Sequence, residues 1–204
     1  MVHLQVKNLS KTYVSSPVLR DLSFEFDGGV IGIAGPNGSG KSTLMRCLAG
    51  LTLPSSGEIK WHIDGEDFTH KTVASKLGYA APYVQLYEEL STRENLAFIR
   101  DLRYSETCAS IPELSSQFEL EDFIDSLFGE ISSGQQQRVK LAAANIHQPP
   151  VICLDEPGTN LDEAGHKIIQ TMIRSCEQAG GLVLLASNQS RELDLCDHVV
   201  KVTD

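Results

Sequence analysis

The sequence predicts an α/β fold: a mixed, mainly parallel core sheet with antiparallel N-terminal strands and an inserted helical segment. Three observations carry this. Strand-like runs at Val2–Val6, Leu22–Phe26 and Val30–Ala34 follow one another with no helical pattern between them. The last third alternates apolar strands with helical spacing, as parallel β–α units do. Between about 83 and 147 the spacing is almost wholly helical, which interrupts that alternation.

In order, strands are expected at Val2–Val6, Leu22–Phe26, Val30–Ala34, Glu58–Ile63, Leu77–Ala80, Val151–Leu154, Leu182–Ala186 and Val199–Val202. Each is a short β-branched or alternating run bounded by turn residues. Helices are expected at Lys41–Ala49, Arg93–Leu102, Pro112–Phe123, Gln135–Ile146, Glu163–Gln178 and Arg191–Cys196. Ser91-Thr92-Arg93-Glu94 reads as a capping box, and Ser132-Ser133-Gly134 precedes another helical run. The acidic group Glu119, Glu121, Asp122 and Asp125 reads as a solvated helix face. One domain spanning 1–204 is expected, with a core of about 1–82 and 148–204 and a helical subdomain of about 83–147.

Composition is that of a globular protein, with 41% hydrophobic and 22% charged residues. A net charge of −10, from 17 basic and 27 acidic residues, disfavours a nucleic-acid partner, which needs a basic face. Cysteines 47, 108, 153, 176 and 196 lack Cys-x-x-Cys spacing and read as apolar fillers in a reducing compartment. The six histidines show no ligand spacing. The opening Met-Val-His-Leu-Gln-Val-Lys alternates like a strand and lacks a leader's shape. No run approaches the ~20 apolar residues of a membrane span. A cytoplasmic protein is expected, with any spanning helices supplied by a partner.

Gly35-Pro36-Asn37-Gly38-Ser39-Gly40-Lys41-Ser42-Thr43 follows an apolar strand and opens a helix. In that context Gly-x-x-x-x-Gly-Lys-Ser is a phosphate-binding loop. Its glycines let backbone N–H groups converge on phosphate oxygens, and the helix N-terminus adds positive charge. Lys41 is placed for the β- and γ-phosphates and Ser42 for Mg2+. A second apolar strand ends in Asp155-Glu156-Pro157. Adjacent acids at a buried strand end suit Asp155 to Mg2+, held through water, and Glu156 to general-base activation of the attacking water.

Ile131-Ser132-Ser133-Gly134-Gln135 before Gln136-Gln137-Arg138 resembles the Leu-Ser-Gly-Gly-Gln signature of ATP-binding-cassette (ABC) ATPases. Thr159-Asn160-Leu161-Asp162 resembles that family's D-loop, and Leu9-Ser10-Lys11-Thr12-Tyr13 its aromatic A-loop. The likeness runs from about residue 2 to 204. It is greatest to the nucleotide-binding subunits of ABC transporters. It implies a phosphate-loop NTPase fold of the ABC-ATPase type, ATP and Mg2+ as cofactors, and adenine stacked on Tyr13. It implies that Ser132, Gly134 and Gln135 contact the γ-phosphate held by a second ABC subunit, in a homo- or heterodimer. It also implies a multi-spanning permease partner and a peripheral place at the cytoplasmic face of the membrane. The end at Asp204 speaks against a C-terminal regulatory domain.

Two positions depart from the family pattern. Pro82 stands where the Q-loop glutamine is expected, and Gln85 lies three residues on. The ungapped match that follows favours absence of the glutamine over its displacement, with Tyr83 or Gln85 facing the membrane subunit. Asn188 replaces the switch histidine. An amide still donates to a γ-phosphate but carries no charge and moves no proton, so slower turnover is expected. The bland alternative makes Asn188 a cap for the helix near Arg191. Competing functions are a soluble, non-transport ABC ATPase in translation or repair, and a weakly hydrolysing regulatory subunit.

Overall fold

The computed structural model describes residues 1–14, 16–102 and 108–202, so the end at Asp204 lies outside the described residues. Its strands are β1 (Val2–Tyr13), β2 (Ser16–Asp27), β3 (Gly29–Ala34), β4 (Ser56–Ile63), β5 (Glu66–Thr69), β6 (Leu77–Ala80), β7 (Val151–Asp155), β8 (Leu182–Ser187) and β9 (His198–Lys201). Its helices are α1 (Lys41–Leu48), α2 (Thr92–Leu102), α3 (Ile111–Gln117), α4 (Ser133–Asn145), α5 (Glu163–Gln178) and α6 (Ser190–Leu193).

Two sheets form. β2-β1-β4-β5 is antiparallel, and β6-β7-β8-β3-β9 is parallel throughout. The expected α/β class therefore holds, with antiparallel strands first and a parallel core after. The switch between sheets comes at Gly28 and Gly29, whose φ of 62° and 79° suits glycine. The Asp197 carboxylate then accepts from the Val30 N–H at 2.8 Å, which seats β3 against the C-terminal segment.

The central strands β3, β7 and β8 are buried on both faces, which explains their unbroken apolar runs. On β8, Leu182, Leu184 and Ala186 join the core beneath the antiparallel sheet, while Val183 and Leu185 join the core beneath the helices. β7 divides in the same way, Val151 and Cys153 against Ile152 and Leu154. The antiparallel sheet closes the first core with Leu4, Val6, Ile59 and Trp61, and α1 lies between the sheets. Trp61 keeps its indole N–H satisfied on the Leu48 carbonyl at 3.2 Å.

Several boundaries differ from expectation. β1 runs on to Tyr13 and β2 starts at Ser16 rather than Leu22, because the hairpin continues past bulges at Leu9 and Lys11. β5 was not expected; its Glu66-Asp67-Phe68-Thr69 has only one half-buried apolar residue. The expected helix Pro112–Phe123 stops at Gln117. Glu119 adopts φ 52°, Leu120 N–H bonds to Ser115 O and Glu119 N–H to Ser116 O. That is a Schellman stop built on glutamate. A short 3-10 turn at Glu121–Phe123 follows. The acidic residues are accordingly not a helix face: Glu119 pairs with Arg138, and Asp125 with Arg93. The stretch from 83 to 91 is loop, so the middle third is less helical than expected, and the last helix spans only Ser190–Leu193.

Both predicted N-termini are capping boxes. Ser91 Oγ accepts from Glu94 N–H at 3.2 Å while Glu94 accepts from Ser91 N–H at 2.8 Å. Ser132 and Gln135 exchange the same pair at 3.3 and 2.9 Å.

Leu184 is fully buried in the central strand. Leu184→Ala is expected to cost about 2–5 kcal/mol, read by urea unfolding followed on Trp61 fluorescence. Exposed carboxyls at helix starts give a pH dependence. The Asp162 carboxyl is held below the ordinary aspartate range, first by the Gly165 N–H and then by Arg138. Glu94 and Glu113 are held down by Ser91 and Ser110. A depressed folded pKa means that the unfolded chain binds protons first on acidification. This stability is therefore complete above the unfolded carboxylate pKa and lost as pH falls through the folded values. Melting temperature should drop between pH 5 and about pH 3, and Asp162→Asn should flatten part of that drop.

Candidate functional site

Parallel pairing brings three strand ends to one edge. Ile33 lies opposite Ala186, and Asp155 opposite Ala186 on the other side; Ala34 meets Ser187. Ligands of open parallel sheets bind beyond the carboxyl ends of the strands. Beyond this edge lies a cavity of about 550 Å3 lined by Tyr13, Val18, Asn37, Gly38, Gly40, Lys41, Ser42, Thr43 and Glu156.

The loop Gly35–Thr43 forms its floor. Gly38 and Gly40 take φ of 85° and 105°, in the left-handed region. A Cβ on Gly40 would come within 2.8 Å of Val18, so the loop depends on bare backbone there. Gly40 is also the N-cap of α1 and offers no side-chain acceptor, which leaves the first-turn N–H groups facing the cavity. Lys41 is 5% exposed, and its ammonium donates to the carbonyls of Gly35 and Pro36 at 2.9 and 3.1 Å. The cation is thus stored against the loop it would leave for a phosphate. Ser39 is buried, and its hydroxyl has no partner among the described residues.

Asp155 is 1% exposed, and neither carboxylate oxygen makes a hydrogen bond of normal geometry among the described residues. Burial raises its pKa above the ordinary range; Glu156 adds to the rise, while the neighbouring Ser42 hydroxyl, Lys41 and Arg46 oppose it. Two orphaned carboxylate oxygens beside a hydroxyl form a hard-oxygen donor set that suits Mg2+. Glu156 follows at φ 48° with its N–H on the Ala186 carbonyl at 2.8 Å. A left-handed conformation is costly for a residue with a side chain, about 1–3 kcal/mol, and here it turns the carboxylate from the strand into the cavity.

Tyr13 ends β1 at the cavity rim, 40% exposed, with the Lys11 ammonium 4.7 Å from its ring centroid. Asn188 does not cap the last helix: Gln189 holds the N-cap position, and the Gln189 N–H bonds to Ser187 Oγ at 2.9 Å. Instead the Asn188 amide donates to Asn37 Oδ1 of the phosphate loop at 3.1 Å.

Ser132, Gly134 and Gln135 stand apart from this cavity. They line a second hollow of about 560 Å3 with Arg138, Asn160 and Asp162, and no residue lines both. Gln137 was passed over by the sequence reading. Buried, it donates to the Pro157 carbonyl at 2.9 Å and ties α4 to the turn after Glu156. Val18 was also missed; its signal is an apolar residue in a strand that must pack against Gly40. Pro82 and Gln85 are exposed, and neither lines the cavity.

Residues 19–159 match the family model described as ABC transporter. The "Sulfate/thiosulfate import ATP-binding protein CysA" of Synechocystis sp. is 33% identical over 98% of this chain and 58% of its own length. The "Nod factor export ATP-binding protein I" of Rhizobium meliloti is 34% identical over 97% of this chain and 61% of its own. The chain thus spans about three fifths of the length of these curated relatives. A solved dimeric post-hydrolysis state of the ATP-binding cassette MJ0796, bound to ADP and Pi, superposes with a TM-score of 0.85 at 25% identity, covering 98% of this chain and 94% of that one. With fold, phosphate loop, acidic strand end and relatives in agreement, this chain belongs to the ABC transporter family.

Proposed function

We propose that the chain is the ATP-binding and hydrolysing subunit of an ABC transporter, coupling ATP-driven closure of two such subunits to substrate movement through a separate multi-spanning membrane subunit. The observation that carries this reading is the convergence of Tyr13, Lys41, Ser42 and Glu156 on one cavity with the unpartnered Asp155 beside it.

Adenine stacks on Tyr13, and the triphosphate lies over the N–H groups of residues 35–43. Lys41 exchanges two loop carbonyls for phosphate oxygens, a move of one flexible side chain within its own loop. Ser42 and Asp155 hold Mg2+, which neutralises charge on the phosphates. Glu156 accepts a proton from the attacking water. Asn188, already on the phosphate loop, supplies a neutral donor to the γ-phosphate.

Ser132, Gly134 and Gln135 serve the phosphates of a second subunit, since within one chain they open onto a different hollow. The capping box at Ser132 sets the start of α4, so the helix end meets the partner's nucleotide already formed. Gln137 makes α4 move with the turn after Glu156, so a displacement of the partner's nucleotide against Ser132 and Gly134 is carried to the catalytic glutamate of this chain. Among the described residues no helix is long and apolar enough to cross a membrane. The transporter-subunit reading places the chain peripherally, at the cytoplasmic face beside its permease.

Two measurements test it. Glu156→Gln should lower ATP turnover by about 10²–10⁴-fold while equilibrium binding of ATP persists; turnover equal to wild type overturns the assignment. Asn188→Ala should lower kcat of the assembled complex by about tenfold, the worth of one hydrogen bond to a charged group; unchanged kcat removes Asn188 from the mechanism.

A further inference from the structure

Pro82 occupies the place where the family pattern puts a glutamine, and its side chain can neither donate nor accept. Its carbonyl is taken by the Lys140 ammonium at 3.2 Å. The neighbouring residue offers what proline lacks. β6 runs beside β7 with Ala80 opposite Leu154, so the chain leaves β6 alongside Asp155. Tyr79 on β6 and Tyr83 beyond it meet hydroxyl to hydroxyl, with ring centroids 6.2 Å apart.

Tyr83 is also fixed from the other side. The Arg46 guanidinium lies over its ring at 5.3 Å, and Arg46 Nε donates to the Ser42 carbonyl at 3.3 Å. A cation–π contact and a backbone bond therefore strap this tyrosine to the turn of α1 that carries Ser42. Both phenols are raised above the ordinary tyrosine range, by burial first, with the Asp155 charge among the further causes. Each hydroxyl is thus neutral and within electrostatic reach of Asp155. With Tyr79 donating, Tyr83 keeps its own proton for a second partner.

We propose that Tyr83 is a positioning residue for the cation: its hydroxyl, held by Tyr79 and Arg46, would support the oxygen donors that Asp155 and Ser42 offer to Mg2+, in place of the missing glutamine. The inference rests on the nucleotide-binding reading above. It differs from the expectation that this loop merely faces the membrane subunit, because it gives Tyr83 work inside the isolated chain.

The test is Mn2+ affinity, by electron paramagnetic resonance, of the purified protein with a non-hydrolysable ATP analogue. Nucleotide binding in EDTA is measured alongside. Tyr83→Phe keeps the ring under Arg46 and removes only the hydroxyl. It should weaken Mn2+ by about tenfold, as loss of a group supporting a metal ligand does, and leave metal-free nucleotide binding unchanged. Adding Pro82→Gln in that background should restore the affinity. Unchanged Mn2+ affinity, an equal loss of metal-free nucleotide, or a loss that the glutamine does not repair overturns the inference. Wild-type protein that binds no nucleotide in either condition overturns the functional reading itself.

Discussion

Strands β7 and β8 have apolar side chains on both faces, and each face is claimed by a different core. A slip of one residue in their pairing would send Leu184 into the space shaped for Leu185 and break both cores at once. Register here is therefore held more firmly than in a sheet with one wet face. The same register fixes Asp155 opposite Ala186 and Ala34 opposite Ser187. The phosphate loop, Glu156 and Asn188 all hang on chain that leaves those three strand ends.

At that edge the fold leaves polar groups unsatisfied where folding alone would satisfy them. The Asp155 carboxylate and the Ser39 hydroxyl are buried without partners among the described residues, α1 starts without a side-chain cap, and Glu156 sits in a left-handed conformation. The buried polar groups and the uncapped helix start are costs that an anion and a cation together would relieve; the Glu156 backbone is a strain the fold itself holds. The large two-faced core is what tolerates the cost. Lys41 is the counterexample: its ammonium is satisfied by Gly35 and Pro36 carbonyls, so one strong charge is kept ready and not bare.

How far the fold was legible depended on whether the stopping signal was local. α1 and α5 end in Schellman motifs on Gly50 and Gly180, and their ends matched the reading within a residue. α3 ends in the same motif on Glu119, which carries no such mark; a strained backbone there is held by the packing of Leu120 and Phe118 in the core. β5 escaped because its single inward residue, Phe68, gives no alternation to read. In the site, the loop 35–43 and the acids 155 and 156 were legible because their chemistry is written in adjacent residues. Gln137 and Val18 were not, since each acts on a residue distant in sequence, Pro157 and Gly40; Tyr83 was read only toward a membrane subunit, because its contact with Arg46 is equally distant.

The sequence by itself determined the fold class, the phosphate loop with Lys41 and Ser42, the acidic strand end, the capping box at Ser91 and the start of a helix after Ser132. All of these are patterns of spacing within a few residues, and backbone physics acts over the same range. Only the tertiary structure decided that Asn188 leans on Asn37 and not on a helix end. Only it set Ser132, Gly134 and Gln135 in a hollow separate from Lys41, and joined Tyr79, Tyr83 and Arg46 to one another. Those relations span tens of residues and are set by which strand lies next to which, a choice made by burial of the whole sheet rather than by any local run.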